Sequence, residues 1–228
     1  MIVLGLTGSI GMGKSTAAAM LRRLGVRLFD ADAVVHELLG PGGEAVEAVE
    51  ALFPGVRDET GAIDRRLVGQ RVFGDPAALR RLEAILHPLV RRAETRFVGQ
   101  ARARRESLVV LDIPLLYETG APDRVDYVLV VSAPARVQRE RVMRRPGMTE
   151  SRFASILRAQ MPDREKRRRA DFVVPTGLGR GLTFRRLRRV VAGLRHENAI
   201  RGRSRGARWV AGNAGNRDRH RDDRPRSR

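Results

Sequence analysis

Ile2-Val3-Leu4-Gly5-Leu6-Thr7-Gly8-Ser9-Ile10-Gly11-Met12-Gly13-Lys14-Ser15-Thr16 is the stretch on which the fold of this chain turns. Its apolar opening run, Ile2 to Thr7, suits a strand buried on both faces of a parallel sheet. Gly8 to Ser15 then fits G-x-x-x-x-G-K-[ST] at every fixed position. Past it, Ala17, Met20, Leu21 and Leu24 share one helical face over Ser15 to Leu24, and Gly25 stops the helix. With a strand before it and a helix after it, the pattern reads as a phosphate cradle rather than a chance glycine turn. Glycines let the loop turn tightly, so that successive backbone N–H groups surround phosphate oxygens. The helix N-terminus adds partial positive charge. The expected nucleotide-binding residues are Gly8, Gly11, Met12, Gly13, Lys14, Ser15 and Thr16. Lys14 is expected at the β- and γ-phosphates and Ser15 on Mg²⁺. The loop by itself does not separate a kinase from a GTPase or a motor.

Outward from that loop, apolar runs alternate with helical patterns. Val26 to Phe29 reads as a second strand, followed by a helix over Ala33 to Leu39 that Pro41-Gly42-Gly43 breaks. Residues 44–106 read as mostly helical, with turns near Pro54 to Thr60 and at Gly74-Asp75-Pro76, and with Pro88 interrupting the pattern. Leu108 to Ile113 and Val125 to Val131 are further strands, and Pro134 fits the first turn of a helix. Pro146-Gly147 separates that helix from one over Glu150 to Lys166. Phe172 to Val174 is a last strand and Leu182 to Leu194 a last helix. Alternating strands and helices imply an α/β class with a mainly parallel sheet. Ligands of such sheets lie beyond the carboxyl ends of the strands. From His196 the periodic pattern is lost, and a basic tail over 196–228 is expected to be disordered.

Carboxylates and arginines fall where phosphoryl chemistry needs them. Asp30 and Asp32 close the second strand. If the chain is extended there, both carboxylates point to the same side. Either can accept the proton of an attacking hydroxyl or hold a water on Mg²⁺. Asp30 serves equally well as a helix N-cap, whereas Asp32 is the stronger candidate for chemistry. Asp112 ends the strand where a metal-assisting carboxylate is expected, although a turn residue before Pro114 is the plainer role. Arg139, Arg141 and Arg145 crowd a helix that ends at Pro146-Gly147. Arg164, Lys166, Arg167, Arg168 and Arg169 close the next one. Two basic arms around a Pro-Gly turn suit a lid that neutralises the moving phosphoryl group and excludes water. A solvated basic face accounts for several of these side chains. His87, alone within a helical stretch, reads on its own as a core or capping histidine.

Taken together, these residues resemble the dephospho-CoA kinase family, relatives of the nucleoside monophosphate kinases. The likeness rests on Gly5-Leu6-Thr7-Gly8 with the phosphate loop, Asp30-Ala31-Asp32, His87-Pro88 and Pro114-Leu115-Leu116-Tyr117-Glu118. It continues through Gln138, Arg141, Arg145, Gln160 and Ala170-Asp171, in family order from residue 2 to about 195. The resemblance implies a P-loop three-layer α/β/α fold with a five-stranded parallel sheet. It implies a kinase domain over 1–195, with a helical acceptor-binding insert at about 40–106 and a lid at about 136–168. The implied reaction moves the γ-phosphate of ATP, with Mg²⁺, to the ribose 3′-hydroxyl of dephospho-CoA. Asp32 matches the catalytic base, acting with Lys14, Arg141 and Arg145. His87, Arg91, Pro114, Leu115 and Glu118 fall in the acceptor site together with Asp32. Arg139 and Thr176 fall on the nucleotide side, and Ser15 and Asp112 on the metal. The family usually carries Asn ahead of a Gly near the last strand, where Val174-Pro175-Thr176-Gly177 stands here.

Composition bounds the alternatives. The formal net charge is +19, almost all of it from arginine, since Lys14 and Lys166 are the only lysines. Such a field attracts polyanions, so a nucleic-acid-binding NTPase is the competing class and a kinase for another nucleotide or nucleoside the nearer alternative. One Trp and two Tyr offer little for base stacking. No guanine-reading Asn-Lys-x-Asp segment occurs. The chain has no cysteine, which excludes disulfides, cysteine-bound zinc and a thiol nucleophile. No stretch approaches the ~20 apolar residues of a membrane span, and no apolar leader of signal-peptide length opens the chain. A cytoplasmic monomer acting on a small molecule is the expectation.

Overall fold

In a computed structural model of the protein, residues 1–72, 74–120 and 122–203 are described. Five strands, β1 (Ile2–Thr7), β2 (Arg27–Asp30), β3 (Leu108–Asp112), β4 (Tyr127–Ser132) and β5 (Phe172–Pro175), form one sheet in the order β2-β3-β1-β4-β5. Every pairing is parallel. All residues of β1, β3 and β4 are buried, as their unbroken apolar runs require when helices cover both faces. Helices α1 (Lys14–Arg23) and α9 (Arg180–Arg203) cover one face, where Leu4, Leu6, Leu21, Leu129, Leu187 and Leu194 interlock. The other face packs Val109, Leu111, Val128 and Val130 against Ala101, with Val98 of α5 (Pro76–Ala103) beside them. The P-loop three-layer α/β/α architecture with a five-stranded parallel sheet is therefore present. Between β1 and its neighbours β3 and β4 the chain leaves in opposite directions, which opens a crevice at the carboxyl ends of the strands.

A second apolar cluster lies outside the sheet. Val46 and Val49 of α3 (Val46–Leu52), Val68 of α4 (Arg65–Val72) and Ala78, Leu82 and Leu86 of α5 pack with Leu39, Phe53 and Ile63. α5 starts on Pro76, with the Asp75 carboxylate accepting the Ala77 and Ala78 N–H groups, and it continues through Pro88. The expected interruption does not occur. The carbonyl that loses its partner belongs to exposed Ala84, and buried contacts on both sides of the proline hold the two halves in line.

Three further expectations are corrected. α2 (Ala31–Leu38) begins directly after Asp30, which caps it by accepting the Ala33 N–H at 3.1 Å. The segment through Asp32 is therefore helical, not extended, and the two carboxylates are not related by a strand's two-residue repeat. The helix expected over Glu150 to Lys166 is two helices, α7 (Glu150–Ala159) and α8 (Asp163–Arg169), which follow α6 (Ala135–Met143). Pro162 disfavours helical backbone just before it, and Gln160 is extended (φ −102°, ψ 146°). The last helix does not stop at Leu194. Arg195 donates to Leu24 O and Gly25 O, and Tyr127 donates its hydroxyl to Glu197, so the contacts that order α9 run past His196. The rest of the basic tail, 204–228 with Trp209, lies outside the described residues.

Candidate functional site

The phosphate loop links β1 to α1 and is shaped by what its glycines approach. Gly11 (φ 75°) and Gly13 (φ 87°) hold left-handed backbone. A Cβ on Gly11 would stand 2.6 Å from Val142 Cγ2 and 3.0 Å from Gln138 O, so α6 packs directly on the loop. Gln138 donates from Nε2 to Ile10 O at 2.8 Å, and Gln160 Oε1 accepts the Ile10 N–H at 3.0 Å. Gln138 of α6 and Gln160 at the end of α7 thus hold the crown of the loop through both the N–H and the carbonyl of Ile10. Below it, Thr176 donates its hydroxyl to Met12 O at 2.7 Å, and buried Met12 accepts the Ala133 N–H on its sulfur.

This loop forms the floor of a cavity of about 590 Å³. Gly8, Gly11, Gly13, Lys14, Ser15 and Thr16 line it, joined by Arg141, Arg145 and Thr176. Ser9 also faces this cavity, and its hydroxyl has no hydrogen-bond partner. Arg141 donates to Thr176 O at 2.7 Å and to Thr176 Oγ1 at 3.0 Å, which ties α6 to the residue just after β5. Among the described residues no acceptor holds the Arg145 guanidinium. The cavity therefore offers backbone donors, a helix N-terminus and guanidinium groups, the chemistry that takes a polyphosphate.

Lys14 and three carboxylates stand at the mouth of the crevice. Lys14 Nζ lies 2.8 Å from Asp112 Oδ1 and 4.0 Å from Asp32 Oδ2. Asp112, at the end of β3, is only 2% exposed. Its burial pushes the carboxyl up from the usual carboxylate range. Lys14 opposes this shift, and the charges of Asp30 and Asp32 add to it. Asp30 itself is turned to Arg22 at 3.2 Å. The side chain of Asp32 is 70% exposed and uncommitted to its own backbone. Ser15 is exposed and next to Lys14, so a hydroxyl and the Asp112 carboxylate are the hard oxygen donors available to Mg²⁺. Among the described residues no group of three or more His, Cys, Asp or Glu side chains is set to hold a metal. So sparse a donor set fits Mg²⁺, which keeps waters and takes phosphate oxygens as its main ligands.

A second cavity, of about 310 Å³, opens on the other side of Asp32. Its walls are largely apolar, built from Leu79, Leu82, Leu86 and Val90 of α5, with Ile113 and Leu115 from the segment after β3. His87, Arg91, Glu94 and Arg124 place polar groups in it. Asp32 and Pro114 line both cavities. One carboxylate thus stands where a polyphosphate pocket and an apolar pocket meet.

Comparison with known proteins gives this arrangement a family. Residues 2–177 match the family model described as dephospho-CoA kinase. The chain belongs to the dephospho-CoA kinase family. It is 58% identical to the dephospho-CoA kinase of Rhodospirillum rubrum over 187 residues, 82% of this chain and 89% of that one. It is 64% identical to that of Paramagnetospirillum magneticum over 168 residues, 73% of this chain and 78% of the other. A solved structure from Thermus thermophilus is 38% identical, with a TM-score of 0.74, and the match covers 84% of this chain and 96% of that one.

The family expectations meet the geometry unevenly. His87 is exposed on the apolar cavity and is not a core histidine. Arg91, Pro114 and Leu115 line the same cavity. Glu118 lines neither cavity. Its Oε1 lies 2.8 Å from Lys166 Nζ and accepts the Met161 N–H at 2.8 Å, so it anchors the α7–α8 junction instead. Arg139 also lines neither cavity and pairs with Glu150 across the lid turn. Sequence reading missed Glu94 and Arg124. They lie 30 positions apart in segments with no motif, and only the packing of α5 against the segment after β3 unites them.

Proposed function

We propose that this protein transfers the γ-phosphoryl group of ATP to the 3′-hydroxyl of dephospho-CoA, giving coenzyme A and ADP in the last step of coenzyme A synthesis. The observation that carries this reading is the position of Asp32 on the wall shared by the two cavities. The relatives' names supply the acceptor.

In this reading the phosphate loop and Lys14 hold the polyphosphate, and the acceptor's ribose enters the apolar cavity. Asp32 accepts the proton of the 3′-hydroxyl as its oxygen bonds to the γ-phosphorus. The bond from that phosphorus to the β–γ bridging oxygen breaks, and ADP leaves. Arg145 and Arg141 neutralise the charge spread over the moving group, and the α6–α8 region excludes water from it. Lys14 exchanges its Asp112 contact for phosphate oxygens, which frees Asp112 for the metal side of the site. Ser15 and Asp112 would hold Mg²⁺, which supplies charge neutralisation at the β- and γ-phosphates. Thr176 borders the nucleotide through its place in the larger cavity. Residues 1–195 act as the kinase domain, with about 40–106 receiving the acceptor and about 136–168 serving as lid. No helix among the described residues is long and apolar enough to cross a membrane, and a cytoplasmic monomer is the proposed working form.

Incubation of the full chain with ATP, Mg²⁺ and a panel of dephospho-CoA, AMP, adenosine and RNA tests this. ADP should form fastest with dephospho-CoA. Faster turnover on another acceptor, or RNA-stimulated hydrolysis alone, would refute it.

A further inference from the structure

Glu94 is 8% exposed and lines the wall of the acceptor cavity formed by α5. Arg124, at the end of a short 3-10 turn over Pro122–Arg124, reaches it with Nη1 at 2.9 Å from Oε2. Burial pushes the Glu94 carboxyl up from its usual range, opposed by the charges of Arg124 and then Arg91. The carboxylate is therefore paired with Arg124, and the side chains of Glu94, Arg124 and Arg91 line one cavity. Leucines and a valine make up much of the remaining wall, so an apolar residue in place of Glu94 would pack with less desolvation cost. The ion pair needs another explanation than stability.

Charge counting supplies one. Arg91 and Arg124 are the only permanently cationic residues lining this cavity among the described residues, and Asp32, Glu83 and Glu94 are its carboxylates. Arg124 commits one of its five N–H donors to Glu94, and no other acceptor within the described residues holds its guanidinium. Among the described lining residues, these two arginines are the permanently charged groups that can neutralise an anionic ligand entering here. Guanidinium forks suit phosphate oxygens, and apolar surroundings strengthen the contact.

We infer that Arg124, oriented by the buried Glu94 carboxylate, and Arg91 on the same cavity wall form a subsite for the diphosphate ester of the acceptor. The inference rests on the kinase reading above and deepens it. Arg124 binds the acceptor directly. Glu94 is a positioning residue that fixes the Arg124 guanidinium.

The test compares dephospho-CoA with adenosine, which has the same hydroxyl and no diphosphate. The enzyme's preference, read as the ratio of their kcat/KM values, should fall about thirtyfold in Arg124→Gln, through KM rather than kcat. Arg124→Lys should recover part of it. Glu94→Gln should lower it about fivefold, with melting temperature and ATP KM near wild type. A ratio unchanged in Arg124→Gln, or an equal loss on both acceptors, overturns the inference. The same variants are titrated with both acceptors while a non-hydrolysable ATP analogue fills the phosphate loop. If the wild type turns over neither acceptor, the kinase reading falls. The subsite then stands or falls on whether dephospho-CoA binds more tightly than adenosine in an Arg124-dependent way.

Discussion

The two cavities that meet at Asp32 are built on different physics. The nucleotide side is a continuous stretch of main chain, Gly8 to Thr16, whose glycines are pressed against α6 and β4. Its donors are backbone N–H groups, with Lys14 and the arginines Arg141, Arg145 and Arg180 added. The apolar side, where the acceptor is proposed to bind, is a gap between a long helix and the segment after β3, walled by leucines, with a few charges embedded in it. Backbone donors survive every substitution except one to proline, so the first side is sensitive mainly at Lys14 and the arginines. The second side depends on packing and on individual side chains, and it should be the more easily respecified.

That contrast can be broken most severely at its shared edge. Lys14→Ala should lower turnover about a thousandfold, because no other ammonium faces the phosphate loop. It also leaves the buried Asp112 carboxyl without its cation. Steady-state kinetics with ATP and dephospho-CoA check this. Arg145→Ala should cut kcat about a hundredfold and leave the melting temperature nearly unchanged, since the guanidinium supports no other described group. Arg141→Ala should lose activity and also several degrees of melting temperature, because Thr176 O loses its donor. If the two variants match in stability, the division of labour between them is wrong.

Lys166→Met probes a charge that belongs to neither cavity. The Lys166 side chain is 0% exposed and faces Glu118, so its loss should cost on the order of 3 kcal/mol in denaturant unfolding. The KM for the acceptor should hold near wild type, and a large rise would place Glu118 back in the acceptor site. The smallest effect is in pH. Folding raises the Glu94 carboxyl above its usual 4.5, so the native state keeps that proton to higher pH than the unfolded chain does. The associated stability is full below 4.5 and is lost as pH rises through the folded value. Glu94→Gln should therefore flatten the decline of stability with pH just above 4.5, as read by urea melts at a series of pH values.

What could be read in advance followed the same division. The phosphate loop is local, so Gly8 to Ser15 disclosed both its geometry and its chemistry, and the unbroken apolar runs disclosed the parallel sheet. Asp32 was singled out through its place after a strand, although the backbone there is helical and not extended. Pro88 and Pro162 show why element boundaries were harder. The same residue type is absorbed into α5, where packing on both sides outweighs one lost hydrogen bond, and ends α7, where Gln160 turns to the phosphate loop. Glu118 was placed by its motif in the cleft. Only the fold reveals that Lys166, 48 positions later, claims it. Glu94 and Arg124 left no signal because ion pairing between distant segments has no period along the chain.

The most direct measurement is the single-turnover rate of phosphoryl transfer from bound ATP to dephospho-CoA in Asp32→Asn, followed by rapid quench. An amide keeps the shape of the junction but cannot take the hydroxyl proton. Transfer should slow by about a thousandfold while nucleotide affinity stays within about threefold of wild type. A rate equal to wild type would contradict the placing of the chemistry at the wall where the two cavities meet.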